Sequence, residues 1–552
     1  MKQIILALYV FPGLFTLVLN AQPNYYVSPA GNNNNAGTSP ASPWQTVQYA
    51  LDHVSPGAII NLREGVFNEK VHWTTSGTVG QPIVLKSYPG ETAILSGAGL
   101  VNQPAIIFIE NKSHIRLENL VLEENYMDYA RGIHISGEGT NITIEKCTIR
   151  NIGFTNDPSV NPYSVNPNGQ AHGLLVNGRT SVGYRDIFIR ENELHNLVTG
   201  NSEALTLVGN TYDFEVTNNL LYDNTNIGID AAGHFSWAVD GGVPESLNQA
   251  RNGIIARNKV YNHRRFSNVD APAGIYVDGG KDILVEHNLS FRNGNGLSVG
   301  CENAGKTAQN IIVRNNFVFD NDNNGIVFGA NMGDIVNCQY RNNTSVKNGK
   351  LTNWTIEVFL QKSTNSLVAN NILLARSNMH HAIGLFGYTV SNLNITHNLV
   401  FREGGNTDYL IVGDPVFPAH SNTLTSDPML VSSALPSPDL HLQVGSPAIN
   451  TGNNAYVTSN EQDIDAGART ANSTVDRGAD EAGSQGCVPD LVLRGIIPSG
   501  FYQADSQLSA FNGEVEGSAM VVINAPDILL GAGFEVKLGG LFSTNNDCSI
   551  LP

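Results

Sequence analysis

A strand-and-asparagine phrase recurs ten times between residues 115 and 401 of this chain: an alternating apolar run, a polar residue that is usually Asn, and a further apolar pair. It reads IRLENLVL with Asn119, ITIEKCTI with Cys147 in the Asn place, IFIRENEL with Asn192, FEVTNNLL with Asn219 and IIARNKVY with Asn258. It continues as ILVEHNLSF with Asn288, IIVRNNFVF with Asn316, CQYRNNTSV with Asn343, SLVANNILL with Asn371 and LNITHNLVF with Asn398. Successive steps are 28, 45, 27, 39, 30, 28, 27, 28 and 27 residues, so a near-constant period is interrupted by two long insertions. Self-similarity at such a period means a solenoid.

Each repeat holds two or three short β-rich runs and no useful 3.6-residue periodicity, so the coil is a turn of a parallel β-helix. Coils stack about 4.8 Å apart. Equivalent Asn side chains then reach one another and the turn backbone, and an internal ladder satisfies buried polar groups. On this reading the asparagines are scaffold, and Cys147 is a small buried side chain with no nucleophilic role.

The chain has 552 residues with 55 Gly, 24 Pro and 14% charged residues, enough for one elongated domain and a smaller one. Its net charge of -18 argues against nucleic acid or an anionic membrane surface as partner. The same charge repels a polyanionic glycan unless the binding face is locally basic or carries cations. Met1-Lys2, an apolar run from Ile4 to Leu19 and Asn20-Ala21-Gln22 have the pattern of a signal peptide cut after Ala21, which predicts a secreted or surface protein. Pro12 and Gly13 interrupt that run, and no other segment approaches the ~20 apolar residues of a spanning helix. Five cysteines are too few for a disulfide-built fold. Cys487 and Cys548 bracket the last segment; they are either free or bridged, and a bridge would contribute about 4 kcal/mol.

After the signal at 1–21, residues 22–424 form the predicted solenoid with its N-terminal cap. Trp44, Val47, Ala50, Leu51 and Val54 mark the apolar face of one helix near Thr46 to His53, which would cover the open first coil. The opening YYVSPAGNNNNAGTSPASPWQTVQYALDHVSPGAIINLREGVFNEKV and the repeats up to about Glu403 resemble secreted right-handed parallel β-helix proteins, among them pectate lyase family nine and the chondroitinase B-like lyases. That resemblance implies an all-β, right-handed parallel β-helix. Residues 425–482 form a closing element in which Asp463, Asp465, Arg469, Asp476, Arg477, Asp480 and Glu481 predict ion pairs and turns, or a cation site. This stretch resembles the end of β-helix proteins classed as choice-of-anchor Q. Beyond the Gly483 to Gly486 linker, residues 487–552 form a short β module whose ILLGAGFEVKLGGLFS resembles the three-coathanger stack of secreted bacterial proteins, implying export or display.

Aligning HGLLVNGR from His172, EALTLVGN from Glu203, IGIDAAGH from Ile227, AGIYVDGG from Ala273, NGLSVGCE from Asn295 and NGIVFGAN from Asn324 puts side chains into columns. Alternation places Asp230, Ala232 and His234 on one outward side, Tyr276 and Asp278 beside them on the next coil, and Glu302 one further on. Asp230 and Tyr276 are then roughly 5 Å apart and Asp230 and Asp278 roughly 8 Å. Two carboxylates at that spacing suit inverting hydrolysis. They equally suit a Ca²⁺ ion that neutralises a uronic-acid carboxylate while Tyr276, His234 or Lys281 removes the adjacent proton. The alternatives are turn capping or pairing with Arg251 or Lys281, and for Lys281 in DGGKD a solvated turn; Glu203 and Glu302 are weaker candidates.

The insertions SWAVDGGVPESLNQAR, HRRFSNVDAP and FTNDPSVNPYSVNPNGQA emerge beside this group or nearby along the stack and would wall it. Trp237, Phe266 and Tyr163 in them can stack on sugars, and Arg251, Arg264 and Arg265 can bind carboxylate or sulfate. The family-nine resemblance implies a Lys base with an Asp-rich calcium site; Lys281 with Asp230, Asp278, Asp270 or Asp240 only approximates it. Three functions stay open: β-elimination of an acidic extracellular polysaccharide, inverting hydrolysis, and glycan binding without cleavage. A monomer is expected.

Overall fold

The computed structural model describes residues 22–483 and 488–545, apart from 161–168, 264–271, 330–331, 351–355, 379–381, 386–390, 406–410, 414–418, 517–518, 526 and 538–539. Residues 1–21 with the expected signal, Cys487, Cys548, Tyr163, Arg264, Arg265, Phe266 and Asp270 lie outside the described residues.

Among the described residues the chain winds through three long parallel sheets of 17, 12 and 12 strands. Each coil gives successive strands to the second sheet (first strand Gly65–Phe67), the third (Val71–His72) and the first (Ile83–Ser87). Inward positions are β-branched or aliphatic and stack in columns: Ile144, Ile189, Val216, Ile255, Val285 and Val313 follow one another coil by coil. Each is buried, so the core is one continuous apolar rod built from period-two alternation. The predicted helix is Val47–His53, capped by the Thr46 side chain, with Val47, Ala50 and Leu51 buried over the first coil.

The asparagine ladder forms, with one correction of register. Asn192, Asn219, Asn258, Asn288, Asn316, Asn343, Asn371 and Asn398 are buried and each Oδ1 accepts from the backbone N–H of the rung before it, Cys147 included, at 2.8–3.1 Å. Asn119 is not a rung. Ile115 pairs with Ile142 and Leu117 with Ile144, which sets Leu120 opposite Cys147 and Asn119 opposite Lys146. Asn119 instead occupies the corner before the rung, where Lys146, Glu191, Asn218, Arg257, His287, Asn315, Asn342, Asn370 and His397 likewise take φ between 53° and 58°. Burial pushes the Cys147 thiol up to about 12, as befits an inert packed side chain.

A second ladder, which the sequence reading missed, lines the next corner. The side chains of Asn293, Asn321 and Asn348 accept from the backbone N–H of His263, Asn293 and Asn321, and Glu357 closes the series on Asn348. Its residues lie five positions after rungs of the first, at Asn224, Asn293, Asn321 and Asn348. Glycine heads the neighbouring strand for the same reason: a Cβ on Gly274 would sit 2.4 Å from Ser290 Oγ and 2.6 Å from Asn293 Nδ2.

Outside the second sheet, the rings of His195, Tyr222, Tyr261, Phe291 and Phe319 stack at centroid spacings of 4.8–5.4 Å. Leu430, Leu440, Leu442, Ala448 and Ala479 of the closing segment cover this apolar stripe, with Ile496 packed at its edge. Glu461 locks the segment down by pairing with Arg314 and Arg341 at 2.7 Å while accepting from Asn342 Nδ2. Arg477 donates to the carbonyls of Asn398 and Asn422, capping the ladder's last rung. Asp463 accepts the backbone N–H groups of Asp465 and Gly467 in its own turn, as turn chemistry requires, and Asp476 accepts from the N–H groups of Asn450 and Ala482, tying two loops together. In the last module, strands Val488–Ile497 and Gly500–Val515 belong to a six-stranded sheet, and Glu516 pairs with Arg292 of the rod at 2.7 Å. Cys147, Cys301 and Cys338 are free and buried.

Candidate functional site

With the second sheet covered, the outward face of the third carries the unusual chemistry. Along one column of this face, His72, Phe108, His134, Leu175, Thr206, Asp230, Tyr276 and Ser298 follow coil by coil. The next column runs Ser136, Asn177, then Ala232, Asp278 and Gly300. The sequence alignment therefore holds for Asp230, Tyr276 and Asp278: Asp230 pairs with Tyr276, and Asp278 with Ala232. Their inward neighbours Ile229, Ala231, Ile275 and Val277 belong to the core.

These outward groups are nonetheless covered. Asp230 is 5% and Asp278 2% exposed. The insertion after His234 folds back over the preceding coils instead of standing up as a wall: Ala238 and Phe235 pack on Leu175, Val208 and Ala232. Trp237, on the short 3-10 helix Ser236–Ala238, remains 53% exposed beside that patch.

Charge gathers here without relief. Burial, then the charges of Glu203, Asp278 and Glu302, push the Asp230 carboxyl well above the usual range, opposed by the Asp278 backbone N–H. Burial and Glu302 do the same to Asp278, whose oxygens accept from the Glu302 N–H at 2.7 Å and from the Tyr276 hydroxyl. Burial and the charges of Asp278, Glu302 and Asp230 raise the Tyr276 phenol well above its ordinary value, so it keeps its proton at neutral pH. Glu203 accepts from Thr206 Oγ1 at 2.7 Å and lies 3.5 Å from His172 Nε2. Glu302 stands at the exposed rim. Asp230 Oδ1 is buried with no hydrogen-bond partner.

Other sequence candidates are drawn elsewhere. The chain turns at Gly233 and His234, where φ reaches 70°, so alternation stops and the His234 ring leaves the column. Its nitrogens are engaged by Glu245 at 2.8 Å and the Thr307 carbonyl at 3.1 Å. Lys281 heads strand Lys281–Glu286 of the first sheet, beyond the corner at Gly279 and Gly280, and pairs with Arg251 and Gln309. Arg251 lies on the same sheet, donating to Asn210 Oδ1 at 2.8 Å and stacking on Tyr212. Asp240 pairs with Arg179 at 2.7 Å.

Sequence reasoning missed Arg131, His134 and Asn177, and passed over His172 as a mere column start. The register sets Arg131 opposite His172 and Ser136 opposite Asn177, so these groups share the outward face with Asp230. Arg131 Nε, His134 Nε2, His172 Nδ1 and Asn177 Oδ1 are, like Asp230 Oδ1, buried and unpaired. Extending the column alignment one coil earlier, to RGIHISGEG, would have found Arg131 and His134, while His172 and Asn177 already stood in the aligned HGLLVNGR.

A Ca²⁺ shell needs six to eight oxygens. Among the described residues, the set of three His, Cys, Asp or Glu ligand atoms lying within 4.8 Å of one another is His441, Asp465 and Asp480, in the closing segment. There His441 already contacts Asp439 at 2.5 Å and Asp465 at 2.9 Å, an ion-pair clasp. Asp230 and Asp278 lie outside that set.

Residues 25–179 match the family model described as Pel9A-like, right handed beta helix region. Over 394 residues the chain is 29% identical to the uncharacterized protein YwoF of Bacillus subtilis, spanning 68% of this chain and 80% of that one. Over 101 residues it is 41% identical to pectate lyase PEL9 of Emericella nidulans, spanning 18% of this chain and 24% of that enzyme. Among solved structures, pectate lyase Pel9A aligns with TM-score 0.40 and 18% identity over 83% of this chain and 96% of that one. The mannuronan C-5 epimerase AlgE6 A-module of Azotobacter vinelandii aligns with TM-score 0.48 and 15% identity over 69% and 94%. The fold is the right-handed parallel β-helix.

Proposed function

We propose that this chain cleaves an acidic extracellular polysaccharide by β-elimination on the outward face of the third sheet. The observation that carries the reading is the set of buried, unpaired polar atoms aimed outward on that face, beside a tyrosine and two carboxyls with raised proton affinity. The Pel9A-like match over residues 25–179 and the pectate lyase stretch support a carbohydrate-active protein and favour elimination.

Elimination needs one group to take the proton beside the uronate carboxylate and another to protonate the leaving glycosidic oxygen as the carbon–oxygen bond breaks. Tyr276, protonated and hydrogen-bonded to Asp278, is suited to donate. Asp230 and Asp278, once ionised, bind protons more strongly than an exposed carboxylate and are suited to accept. Calcium enters this scheme as a proposal for chelation to test. Extracellular placement rests on the leader-like segment at 1–21; no helix among the described residues is long and apolar enough to cross a membrane.

Inverting hydrolysis is the second reading, favoured because Asp230 and Asp278 both resist ionisation in one group, so that one carboxyl is an acid while the other is a base. A panel of uronic-acid and neutral glycans separates the cases. Ultraviolet absorbance of a new unsaturated sugar is expected. New reducing ends without it assign hydrolysis, and retention without cleavage assigns a binding protein.

A further inference from the structure

Among the described residues Arg131 is a cation without an anion. It lies mostly buried on strand Ala130–Gly137, and among the described residues it takes part in no ion pair. Its Nε is buried and unbonded. Burial brings its guanidinium down to about 10, which leaves it charged at neutral pH. The sequence has 49 acidic residues against 31 Lys and Arg, so acids to pair with it are not scarce. Three further polar atoms face outward beside it on the same and the next coil: His134 Nε2, His172 Nδ1 and Asn177 Oδ1, each buried and unpaired. His172 is 4% and Asn177 3% exposed. Both imidazoles are neutral at physiological pH because burial, with Arg131 beside them, holds them below the ordinary histidine range. The His134 ring is fixed by stacking on Phe108 at 5.1 Å. A buried charge and several unsatisfied polar atoms, held rigid on strands, are what a polar anionic ligand would complete.

We infer that this patch is an anion subsite that holds a uronate carboxylate of the glycan at a distance from the bond that is cut. Three coil spacings separate strand Ala130–Gly137 from strand Ile229–Ala232, about 14 Å along the rod. One chain lying along the third sheet would then place a carboxylate on Arg131 while another sugar unit meets Asp230 and Tyr276. The guanidinium offers the planar fork that a carboxylate matches, neutral His134 has one N–H to donate from Nε2, and Asn177 Oδ1 accepts from a sugar hydroxyl, as does His172 Nδ1, since the His172 Nε2–H faces Glu203. The subsite also answers the problem set by the net charge: it is a local cation on an acidic molecule. This inference rests on the glycan reading of the face, and it specifies the ligand's charge.

The test measures binding in the Asp230→Asn background, so that cleavage does not intervene. Calorimetric titration compares oligogalacturonate and oligomannuronate, the same oligomers with carboxyls reduced to alcohols, and a sulfated galactan oligomer. Tighter binding of a carboxylate oligomer than of its reduced form is expected. Adding Arg131→Gln should lower affinity for the carboxylate form about tenfold or more, while affinity for the reduced form stays unchanged and the melting temperature holds or rises. Arg131→Lys should recover part of the preference. Equal affinity for carboxylate and reduced oligomers overturns the inference, as does a preference that survives Arg131→Gln, or a melting temperature that falls while the preference remains. A preference for the sulfated oligomer overturns the carboxylate assignment. Failure of the parent protein to cleave any glycan would sink the proposed reaction and leave this result standing.

Discussion

Asn316→Ala tests the internal ladder most directly. The Asn316 side chain accepts from the Asn288 backbone N–H at 2.8 Å and from Asn288 Nδ2 at 3.0 Å. It donates to the carbonyls of Val285 and Arg314 at 3.0 and 2.8 Å and to Asn343 Oδ1 at 2.9 Å. Truncation strands the buried Asn288 N–H, whereas Asn288 Nδ2 keeps the Ile255 carbonyl and Asn343 Oδ1 keeps the Asn316 N–H. A stranded buried donor costs about 1–3 kcal/mol and each further lost bond about 0.5–1.5 kcal/mol. With the two carbonyls counted, the loss is about 2–6 kcal/mol. Equilibrium denaturant unfolding reads the total. Hydrogen exchange at the Asn288 amide reads the local effect, which nearest-neighbour stacking should confine to adjoining coils. A loss under about 1 kcal/mol with Asn288 exchange unchanged would refute the idea that the rungs hold the corners.

Asp230→Asn should abolish cleavage. Because Asp230 resists ionisation when folded, it stabilises the protein only while protonated, fully so below the unfolded value of about 4, and that contribution is lost as pH rises through the folded value. The variant's unfolding free energy should therefore match the parent's near pH 4 and exceed it increasingly as pH rises, by about 1.4 kcal/mol for each unit of elevation; a constant difference across pH would count against the buried-carboxyl account. Tyr276→Phe should lower turnover at least tenfold with little change in affinity for the oligomer, and an unchanged rate removes it as proton donor. Adding a chelator to the parent and then restoring Ca²⁺ should leave activity unaltered if Asp230 and Asp278 act as proton carriers, and loss restored by Ca²⁺ would reassign them to a metal. Glu461→Gln leaves the buried Arg341 without its carboxylate, while Arg314 keeps Glu286, and should cost about 3–5 kcal/mol, seen as earlier melting and faster proteolysis of the closing segment.

The coil repeat was legible because stacking forces equivalent residues into one environment, and eight asparagines in one buried corner leave a period in the text. The slip at Asn119 has a physical source. Register is set by the inward Ile115 and Leu117, not by the identity of the polar residue, and the corner before each rung also favours Asn since it demands positive φ. His234 was misplaced because period-two counting ran through a corner. Lys281 was misplaced because the two glycines before it carry the chain onto another sheet. Covering was illegible: nothing in DAAGH says that Ala238 will fold back onto Leu175, Val208 and Ala232, because burial by an insertion is a long-range event.

The placement of the site follows from how a three-faced rod is dressed. The second sheet presents a stacked aromatic stripe, and the closing segment buries it. The first sheet's outward positions are spent on matched pairs such as Arg116–Glu145, Arg190–Glu215 and Arg314–Glu286, which satisfy one another. On the third, among the described residues, Arg131 stands without an ion pair at one end and the acids Asp230 and Asp278 crowd beside Tyr276 at the other, with two neutral histidines between or beside them. Were these groups structural, evolution toward stability would pair the Arg131 guanidinium with one of the carboxyls, for the strands could carry them closer at no cost to the core. Their separation along the rod costs stability and makes sense if a bound chain joins them, its carboxylate meeting the cation and its glycosidic bond meeting the acids.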